Sequence, residues 1–323
     1  MDCVIGKEVE IAAEWLKKGY AIGIPTETVY GLAANATSES AVLKVFQIKN
    51  RPSFDPLIVH VSGTAAVDQI AEVPDTARKL MELFWPGPFT LLLQKKSVIP
   101  DLVTSGLPTV GVRMPDHPLT LELLQRLPFP LAAPSANPFG YISPTTAAHV
   151  SNQLGDKIPY ILDGGPCRVG VESTIVSLEQ DTLIVHRVGG VSVEALKAAG
   201  YKVEMFSGEQ DIPSAPGMLD SHYAPLKPLY FGKASTLFTR KYEEPVAVIC
   251  LDQSSAGVVP EGYTLYPLSK AGDYAEAAQH LFAVMRLLDE SAYKTILAIE
   301  FPEEGLGRAI NDRLQRASIK RSV

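Results

Sequence analysis

Four cations fall where an α/β chain would turn. Lys49 and Arg51 lie two residues apart in Lys49-Asn50-Arg51-Pro52, Arg113 ends the alternating run 109–113, and Arg187 ends another over 183–187. Hydroxyls stand at matching places: Thr28 after a strand-like run, Ser135 and Ser143 in a proline-rich loop, and Ser173 just before the run 175–178. Polar loops at strand ends are where α/β proteins bind ligands. Converging Lys and Arg with hydroxyl donors compose a polyanion site. Phosphoryl or nucleotidyl transfer needs little more from a protein than positioning and charge neutralisation. By spacing alone the same residues also read as solvated loops and surface ion pairs. Lys49 also reads as a cation suited to a helix C-terminus, and His60 as a satisfied strand-end histidine.

The elements that must position these residues follow from periodicity. Val9, Ala12, Ala13 and Leu16 repeat at helical spacing ahead of Gly19, predicting a short amphipathic helix with a glycine stop. The apolar run 21–24 reads as a strand that turns through Pro25-Thr26-Glu27-Thr28. Thr37 or Ser38 can cap a helix with the face Val42, Val45 and Phe46, and 57–60 is again strand-like. A helix pattern over 75–84 is broken by Trp85-Pro86-Gly87-Pro88. Strand-like runs at 90–94, 109–113, 131–133, 160–162, 175–178 and 183–187 outnumber the helical runs 119–127 and 193–199, which predicts a large, mixed, twisted sheet.

Residues 207–228 carry four prolines and little apolar periodicity, the marks of a linker. Beyond it, strand-like 229–231, 246–251 and 296–299 alternate with helices. One helix opens on the capping box Asp273–Glu276, with the face Ala278, Leu281, Phe282, Met285 and Leu288; another, over 309–319, is basic and amphipathic. This predicts a smaller, doubly wound α/β layer. The expected organisation is a domain over 1–206, a linker over 207–228 and a domain over 229–323.

A chain of 323 residues with 46% hydrophobic content suits two globular domains. Its net charge of −7 argues against a general electrostatic grip on nucleic acid or an anionic membrane, though not against a local basic cleft. The opening MDCVIGKEVE has no apolar core of a secretory leader, and the apolar runs are too short to span a bilayer. The three cysteines, Cys3, Cys167 and Cys250, are scattered and have no zinc spacing, so a reducing, cytoplasmic setting is expected. There is no Walker A sequence, no dinucleotide fingerprint and no Gly-x-Ser-x-Gly elbow.

Several motifs in order resemble the YrdC-like domain, where Lys-x-Arg and Ser-x-Asn motifs line a basic concave cleft. They are PTETVYGL, Lys49-Asn50-Arg51-Pro52, Asp55-Pro56-Leu57-Ile58-Val59-His60, Thr109-x-x-x-Arg113-Met114-Pro115, Ala133-Pro134-Ser135-Ala136-Asn137 and Gly170-Val171-Glu172-Ser173-Thr174-Ile175. The linker pieces Ala215-Pro216-Gly217-Met218 and His222-Tyr223-Ala224-Pro225, with the tail 305–313, resemble the two-domain threonylcarbamoyl-AMP synthase family, so the resemblance covers nearly the whole chain. It implies a twisted, mostly antiparallel open sheet with flanking helices, plus an appended Rossmann-like domain. It also implies a reaction in which L-threonine, hydrogencarbonate and ATP give L-threonylcarbamoyladenylate and diphosphate. That product feeds threonylcarbamoyl modification of the adenosine beside the tRNA anticodon.

By the same resemblance Lys49 and Arg51 hold the ATP phosphates and form the catalytic pair. Asp55, Thr109, Ser135, Ser143, Arg187 and Tyr223 match nucleotide-contacting positions. Thr28, His60, Arg113, Ser173 and, through its backbone, Ala133 match positions that hold threonine. Arg113 suits a carboxylate because a planar guanidinium can pair with it bidentately. Asp55 stands where the family commonly has Asn, and a carboxylate near phosphates is awkward without a cation between. Mg²⁺ is expected with ATP, no organic cofactor is implied, and Glu27 and Glu172 are candidate outer-shell partners of the ion. Leu219-Asp220-Ser221 replaces a stretch that is cationic in many members, which removes phosphate-binding charge but leaves a lid role for His222 and Tyr223. The downstream tRNA threonylcarbamoyl transferase machinery is the implied protein partner.

Two rivals follow from the same residues. An RNA-binding module would grip tRNA or double-stranded RNA in the cleft, but the acidic net charge and the few aromatics available for stacking weigh against it. A carbamoyl-transfer domain of hydrogenase maturation proteins would bring acylphosphatase and zinc-finger regions, and neither is visible in the sequence.

Overall fold

The computed structural model describes residues 3–207, 216–217 and 222–319. Of the expected linker, 208–215 and 218–221 lie outside the described residues, and with them Ala215 and Met218 to Ser221. The chain forms two compact units. One comprises Met1–Phe139, Ser143–Arg168 and Glu172–Met218; the other comprises Gly140–Ile142, Val169–Val171 and Leu219–Val323.

The first unit is built on an eleven-stranded sheet. Its strand order is Val4–Gly6, Tyr160–Leu162, Ile22–Ile24, Gly31–Asn35, Leu131–Ala132, Ile58–His60, Thr109–Arg113, Phe89–Gln94, Thr174–Glu179, Thr182–Arg187 and Lys202–Met205. Five of its ten neighbouring pairs are parallel and five antiparallel. The sheet is therefore mixed, as the strand-rich pattern predicts, and not mostly antiparallel as the resemblance implies. Connection length explains the mixture: a two-residue turn at Gln180–Asp181 makes an antiparallel hairpin, whereas parallel neighbours need a longer crossover.

The amphipathic helices fall where their spacing predicts. Val9–Lys17 buries Val9, Ala12, Ala13 and Leu16, and Gly19 follows it at a left-handed φ of 76°. Ser38, rather than Thr37, caps Glu39–Lys49 by accepting from the Ala41 amide. Thr37 instead turns its amide and hydroxyl to Asn35 Oδ1. Gly31–Asn35 is a strand that lies between the predicted turn at Pro25-Thr26-Glu27-Thr28 and the predicted helix cap, where the sequence reading assigns no strand. Its Gly-Leu-Ala-Ala-Asn composition has no alternation and weak strand preference, and its central place in the sheet decides its state.

The second unit carries a four-stranded parallel sheet in the order Leu229–Gly232, Thr295–Ile299, Val246–Cys250 and Tyr263–Pro267. Its long helix, Tyr274–Glu290, buries the expected apolar face and, on the same face, Arg286 and Asp289. Asp273 caps it by accepting from the Glu276 amide at 2.7 Å. Glu276 does not close the capping box directly. Its carboxylate accepts from Ser269 Oγ at 2.5 Å, and Ser269 Oγ accepts the Asp273 amide at 2.9 Å. Among the described residues no helix is long and apolar enough to cross a membrane.

Candidate active site

Ile58–His60 and Thr109–Arg113 run parallel with His60 opposite Arg113, so both side chains leave the sheet on one face. Arg113 is held at three points. It ion-pairs with Glu27 at 2.6 Å, donates to Thr28 Oγ1 at 3.0 Å and donates from Nε to the Gly87 carbonyl at 3.2 Å. Thr28 is itself fixed by a side-chain turn: Thr26 Oγ1 accepts the amides of Thr28 and Val29, each at 3.2 Å. Burial, reinforced by the Arg113 charge, pushes the His60 pKa down to about 3, so the ring is neutral. Its Nδ1 is buried and has no hydrogen-bond partner among the described residues. Ala133 lies beside Ile58 at the start of that strand; its amide donates to the Ile58 carbonyl at 3.0 Å, so any ligand contact from its backbone runs through its carbonyl.

A second cluster forms where the helix Glu39–Lys49 runs into its following loop. Lys49 is buried, and Nζ donates to the carbonyls of Ser135 and Asn137, both at 2.6 Å. Burial, and then the Arg51 charge, hold its pKa well below the usual lysine value. Arg51 donates to the Asp55 carbonyl at 3.0 Å and the Pro56 carbonyl at 2.7 Å, and it pairs with the Asp55 carboxylate at 2.8 Å. Burial raises the Asp55 pKa against the opposing pull of the Arg51, Lys49 and Arg187 charges. Thr109 opens its strand two residues before Gly111, the partner of Ile58, and so lies at the end where Asp55 and Pro56 enter the sheet.

Arg187 binds the Ser173 carbonyl from Nε at 3.1 Å and from Nη2 at 2.9 Å, and Nη2 also donates to Ser173 Oγ at 3.1 Å. Ser173 Oγ also shares a hydrogen bond of 2.7 Å with Thr90 Oγ1. Ser143 Oγ donates to Glu172 at 2.6 Å.

Trp85-Pro86-Gly87-Pro88, which the sequence marks only as a break, joins these groups. Gly87 accepts from Arg113 and donates to the Met114 carbonyl at 2.9 Å, while Pro88 accepts from Thr174, the residue after Ser173, at 3.0 Å. A Cβ on Gly87 would lie 2.5 Å from the Phe84 carbonyl oxygen, so the joint requires glycine. The turn itself was visible in the sequence; its partners were not.

The structure therefore gathers Thr28, His60 and Arg113 at one place and Lys49, Arg51 and Asp55 at another, with Arg187 held on Ser173 and Ala133 beside Ile58. Ser135 reaches Lys49 through its carbonyl, and Ser173 lies under Arg187. Tyr223 belongs to the second unit, where its ring stacks on Phe282 at 5.5 Å and lies beneath the Arg313 guanidinium at 5.2 Å. Glu27 pairs with Arg113, and Glu172 accepts from Ser143. Among the described residues no group of three or more His, Cys, Asp or Glu is placed to hold a metal ion. Lys49, Arg51, Arg113 and Arg187 are all buried.

Residues 14–189 match the Sua5/YciO/YrdC family model, described as telomere recombination, and residues 191–318 match the threonylcarbamoyl-AMP synthase C-terminal domain. The threonylcarbamoyl-AMP synthase of Pyrococcus abyssi is 39% identical over 319 residues, covering 96% of this chain and 94% of that one. This chain belongs to the threonylcarbamoyl-AMP synthase family. The synthase of Bacillus subtilis is 38% identical over 323 residues, covering 96% of this chain and 93% of that one. The crystal structure of P. abyssi Sua5 complexed with L-threonine matches at a TM-score of 0.88, with 34% identity and 98% of each chain covered. As a member of this family the chain is an enzyme of the nucleotidyltransferase type, and its role is in tRNA modification. The RNA-binding reading is not favoured.

Proposed function

We propose that the chain makes L-threonylcarbamoyladenylate and diphosphate from L-threonine, hydrogencarbonate and ATP. The observation that carries this reading is the pairing of two buried arginine sites of different charge. Arg113, His60 and Thr28 form one group with Glu27, and Arg51 pairs with Asp55 in the other, where the Lys49 and Arg187 charges act on the same carboxylate.

In this reading the threonine carboxylate pairs with Arg113, while Thr28, His60, Ser173 and the Ala133 carbonyl bound the amino acid. Neutral His60 suits this place because its buried Nδ1 can meet a ligand polar group without adding charge. The threonine amine and hydrogencarbonate give a carbamate with loss of water. A carbamate oxygen then attacks the α-phosphorus of ATP, forming a new O–P bond as the bond to the bridging oxygen breaks and diphosphate leaves. Lys49 and Arg51 stabilise the charge that develops on the departing diphosphate. Asp55 acts through Arg51, whose fork it holds, and thereby keeps a carboxylate from facing phosphate directly. Thr109, Ser135, Ser143, Arg187 and Tyr223 are assigned to the nucleotide.

Mg²⁺ would arrive with ATP and would supply charge neutralisation at the phosphates, held mainly by the nucleotide, because Asp55 and Glu172 are already engaged with Arg51 and Ser143. The cytoplasm is the proposed setting, in keeping with three free thiols. The product would pass to the tRNA threonylcarbamoyl transferase machinery. The test is diphosphate release from ATP measured with and without L-threonine, in the presence of hydrogencarbonate and Mg²⁺. Threonine-dependent release is expected, and a folded sample without it sinks the reading.

A further inference from the structure

Two short stretches of N-terminal sequence, 140–142 and 169–171, belong to the second unit. Each runs directly into one member of the Ser143–Glu172 hydrogen bond: Ile142 precedes Ser143, and Val171 precedes Glu172. The helix Tyr274–Glu290 grips both stretches. The Tyr141 hydroxyl donates to the Asp289 carboxylate at 2.6 Å. Arg286 donates to the Ile142 carbonyl, and its guanidinium lies 5.1 Å from the centre of the Tyr141 ring. The other Asp289 oxygen accepts the Lys227 amide at 3.0 Å, so one carboxylate ties 140–142 to the chain entering the second sheet.

Gly170 lies against the same helix. It has a φ of +79°, and a Cβ there would come within 2.3 Å of the Ala278 carbonyl oxygen and 2.4 Å of Gln279 Cα. Burial, helped by Asp289, raises the Tyr141 pKa, so the phenol remains a donor at physiological pH. The apolar face of this helix was legible in the sequence; Arg286 and Asp289 on it have no part in the site described above.

We infer that Asp289 and Arg286 are positioning residues: through Tyr141 and the Ile142 carbonyl they fix the stretch 140–142 that leads directly into Ser143, and so hold that serine for the nucleotide. The use of this device rests on the proposed assignment of Ser143 to ATP; the device itself does not. A packed helix with a charge-assisted hydrogen bond supplies the stiffness that a Ser-Pro-Thr loop lacks.

The test uses the full chain and the variants Tyr141→Phe, Asp289→Asn and Ser143→Ala. Hydrogen exchange without ligand is expected to quicken at the peptide covering 140–146 in Tyr141→Phe, with the unfolding midpoint unchanged. Unchanged exchange in both Tyr141→Phe and Asp289→Asn overturns the clamp. In kinetics, Tyr141→Phe is expected to raise the KM for ATP about tenfold, the scale of one lost charge-assisted hydrogen bond, and to leave the KM for L-threonine alone. In the Ser143→Ala background it is expected to add nothing further. Full additivity, or equal damage to both KM values, assigns Tyr141 a general structural role and overturns the inference. If the parent chain releases no diphosphate at all, the proposed reaction falls, while the exchange measurement still decides the clamp.

Discussion

The two ends of the site use the same unit, a buried arginine paired with a buried carboxylate, and differ in what surrounds it. Arg113 and Glu27 meet at 2.6 Å with neutral His60 and the Thr28 hydroxyl as neighbours, so the charges of that group cancel. Arg51 and Asp55 meet at 2.8 Å with Lys49 and Arg187 close enough to act on the same carboxylate, so positive charge is left over. Burial obliges each guanidinium to have a partner, since an unpaired buried charge is costly. The partner therefore says little about the ligand, and the surplus says more. A balanced group suits a zwitterionic amino acid, and a surplus of cations suits a triphosphate. Their supports differ as well: Arg113 is fixed from a strand end by a turn and a glycine joint, whereas Arg51 sits in the loop after a helix.

The largest break in this contrast should come from Arg51→Ala. It removes phosphate charge and leaves Asp55 buried without its closest partner. We expect diphosphate release to fall about 10³-fold, roughly 4 kcal/mol of transition-state stabilisation, with the KM for threonine little changed. An equal loss in threonine binding, measured by calorimetry, would mean that the two ends are one site. Next is Arg113→Lys, which keeps the charge but loses the planar fork. It should weaken threonine binding about 10²-fold, roughly 2–3 kcal/mol, and spare ATP; wild-type threonine affinity would contradict the assignment.

Smaller effects sharpen the electrostatics. His60 has a folded pKa of about 3 against an ordinary 6.5, so between those values the unfolded chain binds more protons. Its contribution is complete above about pH 6.5 and is lost as pH falls toward 3, at up to about 1.4 kcal/mol per pH unit. Urea melts of His60→Gln should show a shallower acid loss over that window, and an unchanged slope would assign the acid sensitivity elsewhere. Smallest is a proton count at Lys49. Its lowered pKa should rise when phosphates arrive, so ATP binding at mildly alkaline pH should take up a fraction of a proton. Calorimetry in buffers of different ionisation heat measures this, and the uptake should vanish in Lys49→Met.

Much of the fold could be read from periodicity. Long amphipathic helices such as Asp75–Phe84 and Tyr274–Glu290 announce themselves, because one buried stripe repeats over several turns. Short strands do not. Val4–Gly6 and Lys202–Met205 are three and four residues long, lie largely exposed at the two edges of the sheet and carry no clear alternation. Gly31–Asn35 fails for the opposite reason, being buried on both faces and built of small residues. At the site, the cations and hydroxyls were legible by type and by their places at element ends. Glu27 was visible as a carboxylate, yet its partner Arg113 is far away in sequence. Gly87 and Thr90 gave no chemical signal, because Gly87 acts through its backbone carbonyl and Thr90 through a single hydroxyl.

By itself the amino-acid sequence determined the composition of the site, the order of its motifs and hence the family, since residue types and local spacing are properties of the chain. Only the tertiary structure decided the pairing: which carboxylate holds which arginine, that His60 is neutral, and that 140–142 and 169–171 belong to the second unit. The physical reason is that charge pairing and desolvation depend on distance and burial. Both are set by strand register and packing between residues far apart in the chain.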